Sequence, residues 1–189
     1  MRDWILWLNE TPWSIALRES LYVWPLLEAA HVLTIMLFVG TIVMVDLRLL
    51  GLAFTRVTVS EMTGRVLPWT VAGFIVMIVT GLVLFYAKPL LYYHNLYFRA
   101  KMVLLILAMA NILLFHRHVQ RTIEQWDSLK TPPAMARLSA ALSLSAWIGI
   151  VILGRMIAYD FLNCEKLDPN GLLSTLASCP AAETAVSQE

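Results

Sequence analysis

Charge is what this chain has least of. Only 14% of its 189 residues are Asp, Glu, Lys or Arg, where a soluble domain of this size carries about 25%. The 14 basic and 13 acidic side chains nearly cancel, leaving +1. There is no lysine or arginine run and no nucleic-acid-binding motif, so nothing here attracts nucleic acid or an acidic polymer. Cysteine is nearly absent as well. Cys164 and Cys179 are the only two, and neither a CxxC nor a Cys/His zinc spacing exists. The pair reads either as a disulfide, if that side faces an oxidising compartment, or as two unrelated thiols. Strict apolar/polar alternation is missing, which excludes a membrane β-barrel. Internal repeats and low-complexity segments are missing too. The opening MRDWILWL lacks a small-residue cleavage site and soon meets Asn9, Glu10 and Pro12. It reads as an interfacial segment, not a cleavable signal, with Trp4, Trp7 and Trp13 at headgroup level.

What is present is long apolar sequence. Hydrophobic residues make up 59% and mean hydropathy is +0.71. About 20 apolar residues in a helix cross a bilayer. Four stretches qualify, near residues 22–45, 67–87, 96–115 and 138–158. The expected fold is therefore all-α: a polytopic four-transmembrane-helix bundle with a short N-terminal interfacial helix. Residues 1–163 read as a single membrane domain and 164–189 as a polar C-terminal tail.

Local chemistry marks the boundaries. Thr11-Pro12 reads as an N-cap with proline at the first helical position, opening a short helix to Ser20. Asp46, Arg48 and Gly51 read as the end of the first span, and Pro68 as the first turn of the second. Lys88-Pro89 closes that second span, and Thr131-Pro132-Pro133 separates the third from the fourth. The stretch from Asp46 to Arg65 mixes apolar and charged residues and reads as lying partly in the interface.

Orientation follows from the basic residues. The loops after spans one and three hold Arg48, Arg56, Arg65, Arg117, Arg121, Lys130 and Arg137. The opposite side holds Arg2, Arg18, Lys88, Arg99, Lys101, Arg155 and Lys166. Arg99, Lys101 and Arg155 fall inside spans or at their ends. Setting them aside makes the loop side cytoplasmic and puts both termini outside, in the periplasm of a bacterial inner membrane.

An ionisable side chain within a span is costly and marks function by default. The short list is Glu28, His31, Arg99, Lys101 and Arg155. At 1.5 Å per residue, Glu28 lies roughly 9 Å, His31 roughly 14 Å and Lys101 roughly 8 Å into their spans. Four crossings put all five on one membrane side, together with His94 in the loop between spans two and three. Glu28 and His31, three residues apart, share a helix face. Small and polar stripes on span two (Thr70, Gly73, Met77, Thr80, Gly81) and span four (Ser139, Ser143, Ala146, Gly149) read as packing. His116 and His118 read as interfacial.

A buried histidine beside a glutamate reads two ways. One is a structural hydrogen bond. The other is metal or haem ligation through His31, with basic residues meeting the propionates. A carboxylate-bridged di-metal site needs more Glu-x-x-His than the single one here.

The run WLNETPWSIALRESLYVWPLLEAAHVLTIMLFVGTIVMVDLRLLGLAF, with LPWTVAGF and GRMIAYD, resembles an uncharacterised bacterial four-helix membrane family, a domain of unknown function. It resembles more distantly the copper-resistance D-type membrane domain and the HemJ-type protoporphyrinogen oxidases. The features shared with these are His31, Gly40 with Arg48, and Lys101 in RAKMVLLIL. The HemJ-type resemblance implies haem binding by His31 and Lys101.

The first expectation is a membrane-bound b-type haem protein, in electron transfer or the oxidation of a hydrophobic substrate such as quinone. His31 is the axial ligand. Lys101 or His94 is the second ligand or a propionate partner. Arg99 and Arg155 neutralise propionates, and Glu28 hydrogen-bonds the site. Partners are the bilayer and a quinone or redox subunit, with a homo- or hetero-oligomer open. The second expectation is a non-enzymatic subunit or small-ion or metal carrier with a buried Glu/His/Lys/Arg network. The third is a structural bundle in which the polar cluster only fixes helix register.

Overall fold

The structure, a computed structural model, describes residues 2–159, 162, 164, 167–168 and 171–179. Two short helices open the chain, α1 (Arg2–Asn9) and α2 (Pro12–Glu19). Pro12 starts α2 because its missing N–H costs nothing at a helix's first turn. The hydroxyl of Thr11 turns away from capping and instead meets Tyr86 Oη at 2.8 Å. That contact and Ser14 Oγ donating to Ala87 O seat the short helices on the end of the second long helix. Trp4, Trp7 and Trp13 stay exposed, as aromatic anchors at a bilayer surface do.

The first long helix, α3 (Val23–Leu50), is 28 residues, about 42 Å and longer than the ~30 Å hydrocarbon core. It runs past Val45, because Asp46 and Arg48 are buried against neighbouring elements and do not end the helix in the interface. Gly51 ends it. Its φ of 74° closes the helix with N–H bonds to Leu47 and Arg48 carbonyls, a conformation glycine adopts without strain. A Cβ there would also meet Lys130 O at 3.1 Å.

The second, α4 (Val59–Ala87), begins well before Leu67, since Thr58 accepts from Glu61 N and caps it. Pro68 therefore lies inside α4, leaving Gly64's carbonyl without its helical donor, a defect membrane helices tolerate. Lys88 breaks the helix and Pro89 opens α5 (Pro89–His94). Asn95 accepts from Phe98 N and caps α6 (Leu96–Leu114). The helical path continues through a π-turn at Phe115–Val119 and a 3₁₀ turn at Gln120–Thr122 into α7 (Ile123–Trp126). The fourth long helix is α8 (Ala134–Tyr159), and α9 (Leu172–Ala177) follows.

The extensive pairings are α3 with α4, α3 with α8, and α6 with α8. Glycine permits close approach of α3 and α4: a Cβ on Gly73 would sit 3.2–3.4 Å from the Phe38 backbone and Cβ. Phe38, Ala108, Trp147 and Ile150 form the central core layer. Trp147 meets Phe38 edge-on at 4.9 Å, and Phe74 tilts against Phe38 at 5.3 Å. A second layer, Leu49, Val59, Trp126, Ala136 and Ala140, closes the loop end. Leucine, valine and isoleucine side chains cover the outside, as a lipid-facing surface requires. The α4 and α6 helices share no extensive contact, so the bundle is open between them. At the terminal end aromatic rings bridge that opening: Phe85 stacks on Phe98 at 5.7 Å and on Tyr92 at 6.1 Å.

Candidate functional site: a polar cleft around His31

Beneath those rings α3 presents His31, half-buried. Its Nδ1 lies 2.8 Å from Thr80 Oγ1 on α4. Thr80 Oγ1 is also 2.7 Å from Val76 O and 3.2 Å from Met77 O. Carbonyl oxygens only accept, so the single hydroxyl proton goes to the helix and its lone pairs face the imidazole. An imidazole with its proton on Nδ1 fits this geometry, donating to Thr80 and leaving a lone pair on Nε2. Gly81 makes room for the ring: a Cβ there would meet His31 Cε1 at 3.2 Å.

From α6, Lys101 comes close enough for its charge to act on His31. Its Nζ would lie 3.5 Å from a Cβ on Gly154 of α8, so a second glycine seats the ammonium. Among the described residues Lys101 forms no ion pair. Glu28 lies one turn from His31 towards the terminal end and is exposed at the mouth of the cleft. Tyr92 is close enough to feel its charge. Burial, with the negative charge of Glu28 adding to it, pushes the Tyr92 phenol up to about 12. Four long helices and α5 thus contribute to one cleft.

The other expected site residues have different partners. Arg99 donates to Tyr93 O and to Leu176 O, Ala177 O and Ser178 Oγ. His94 Nδ1 is 3.1 Å from Ala177 O. Both hold the C-terminal end of α9, which Cys164–Cys179 ties back as a disulfide. Arg155 is exposed on α8, bonded to Tyr159 Oη and lying over its ring. His116 and His118 are exposed in the π-turn at the loop end. Among the described residues no group of three or more His, Cys, Asp or Glu side chains is placed to hold a metal ion. The structure therefore places Lys101 near His31 and Tyr92 near Glu28, and gives Arg99, His94 and Arg155 other partners.

Sequence reasoning missed three buried groups. Arg48 is 1% exposed and donates from Nε to Val57 O at 2.6 Å and from Nη2 to Leu129 O and Asp127 O at 3.1 and 3.3 Å. Asp46 and Trp147 are buried nearby along α3 and α8. Thr80 was visible, but only as one member of a packing stripe.

Four apolar helices long enough to cross a bilayer, with polar residues gathered towards one end, define a multi-pass helical membrane protein. The chain belongs to a family of unknown function (DUF6644), whose match covers residues 22–160 and so all four long helices. The disulfide-closed segment lies beyond that match. No curated protein and no solved structure matches the chain.

Proposed function

We propose that the protein is a membrane-bound b-type haem protein whose axial ligand is His31. One observation carries this reading: His31 Nδ1 lies 2.8 Å from Thr80 Oγ1, whose hydroxyl reaches the Val76 carbonyl, a geometry that suits the tautomer in which Nδ1–H donates to Thr80 and Nε2 is left to ligate. Histidine ligands are oriented in this way by a hydrogen bond at their other nitrogen. A haem brings four nitrogens of its own and asks the protein for axial ligands only, which suits a cleft with one imidazole and no metal-binding cluster. Lys101, in no ion pair among the described residues, is the natural second ligand or propionate partner. Phe85, Tyr92 and Phe98 offer flat apolar contact at the open α4–α6 side. A bound haem would supply one-electron chemistry, for exchange with quinone in the bilayer or with a partner subunit. The chain's own residues hold the imidazole tautomer, place a cation beside it and exclude water with aromatic rings.

The disulfide favours an oxidising compartment for the terminal side. We therefore place both termini in the periplasm and the loops after α3 and α6 in the cytoplasm of a bacterial inner membrane. Hemin titrated into the detergent-solubilised protein is expected to saturate at a single equivalent and to quench tryptophan fluorescence. Thr80→Val keeps the shape but removes the acceptor, and should weaken hemin binding by about 10- to 100-fold. Wild-type protein that shows no saturable binding removes the reading.

A second reading has its own support. Lys101 beside His31, with Glu28 at the mouth, also suits a non-enzymatic carrier of a small anion or proton. Ion flux in proteoliposomes, lost in Lys101→Met and indifferent to hemin, would favour it over the haem.

A further inference from the structure

Three polar atoms are buried without a partner among the described residues: Asp46 Oδ2, Arg48 Nη1 and Trp147 Nε1. Asp46 is the one that bears on chemistry. It is 5% exposed on a helix otherwise apolar from Val32 to Val45 save for Thr34 and Thr41, at the opposite end of the bundle from His31. Ser143 of α8 faces it. Other buried polar pairs lie close by in the same half: Thr70 Oγ1 donates to Thr41 Oγ1 at 2.8 Å, and Asn111 and Ser139 exchange two hydrogen bonds.

No cation answers the carboxyl. Arg48, on the same helix, turns its guanidinium to the loop carbonyls of Val57, Asp127 and Leu129. On α4, Arg65 pairs with Glu61 at the surface. On α8, Arg137 is exposed. A carboxylate buried with no counter-charge is costly, and too few ligands surround it for a metal ion. A proton is the smallest ligand that removes the charge, and the acid form needs only the neighbouring hydroxyl.

We propose that Asp46 is a proton-binding site, a carboxyl that takes up and releases a proton inside the bundle from the side where the α3–α4 and α7–α8 loops lie. This does not rest on the haem reading. It gives the bundle a second polar site, facing the other side of the membrane.

Dicyclohexylcarbodiimide tests it, because this apolar reagent reacts with protonated carboxyls in apolar surroundings. The acid adds across one C=N bond, its oxygen to carbon and its proton to nitrogen. The adduct then rearranges to a stable N-acylurea with nothing leaving. Full-length protein in lipid nanodiscs would be labelled, digested and read by mass spectrometry. The expected result is an adduct at Asp46 whose yield falls several-fold as the pH is raised and the acid form is titrated away. A water-soluble carbodiimide should label exposed Glu61 and leave Asp46 untouched. Asp46→Asn should lose that adduct alone. An unlabelled Asp46 in the apolar reagent, or labelling indifferent to pH, overturns the proposal. Because the decisive measurement is on the wild-type chain, it stands even where Asp46→Asn folds poorly.

Discussion

Arg48→Ala is expected to unfold the loop end of the bundle and to cost about 3–5 kcal/mol of stability. The side chain is almost wholly buried and ties three carbonyls from two loops to α3. Charged donors make stronger hydrogen bonds than neutral ones, and each buried acceptor left without a donor costs about 1–3 kcal/mol. Lysine should recover little, because one ammonium cannot reproduce a planar fork that reaches Val57 on one side and Leu129 on the other. The proper control is Arg65→Ala, which removes an exposed pair with Glu61 and should cost about 0–1 kcal/mol. Unfolding of the purified variants in mixed micelles with increasing SDS measures both. Equal losses for Arg48 and Arg65 would mean that Arg48 is not the tie described.

Gly73→Leu is the second large effect, expected at about 1–3 kcal/mol. A Cβ added at Gly73 would sit 3.2–3.4 Å from the Phe38 backbone and Cβ, so an added side chain meets main chain and cannot be accommodated by a rotamer change. The α3 and α4 helices must separate. Thr80 lies two turns further along the same face of α4, so the separation should also loosen the His31–Thr80 hydrogen bond. Loss of hemin binding along with stability is therefore predicted. Gly40→Leu is the matched control, since a Cβ at Gly40 meets nothing within 4 Å. The same unfolding assay, with a hemin titration beside it, separates the two variants.

Much of this was legible in the chain. The four spans were readable because lipid demands continuous apolar sequence. Four crossings also put Glu28, His31 and Lys101 at one end without any knowledge of contacts. The ends of α3 and α4 were not readable. Hydropathy scores Asp46 and Arg48 as water-seeking, whereas both are buried against other protein segments, which no one-dimensional scale distinguishes. The stripe of Thr70, Gly73, Thr80 and Gly81 was recognised as packing, and for Gly73 it is. Thr80 and Gly81 also give the imidazole of His31 a hydrogen-bond partner and its space, a role that depends on a residue 49 positions away. Arg99 and His94 were expected to face a cofactor. They face α9, because the disulfide returns a segment that composition alone describes as a polar tail.

A haem held by His31, as proposed, would be visible in the absorption spectrum. Full-length protein should be purified from cells supplied with ample haem, alongside His31→Ala, and recorded oxidised and reduced. The prediction is a Soret band in the wild-type protein that is lost or strongly diminished in the variant. A wild-type spectrum without a Soret band, or a band unchanged in His31→Ala, would contradict it.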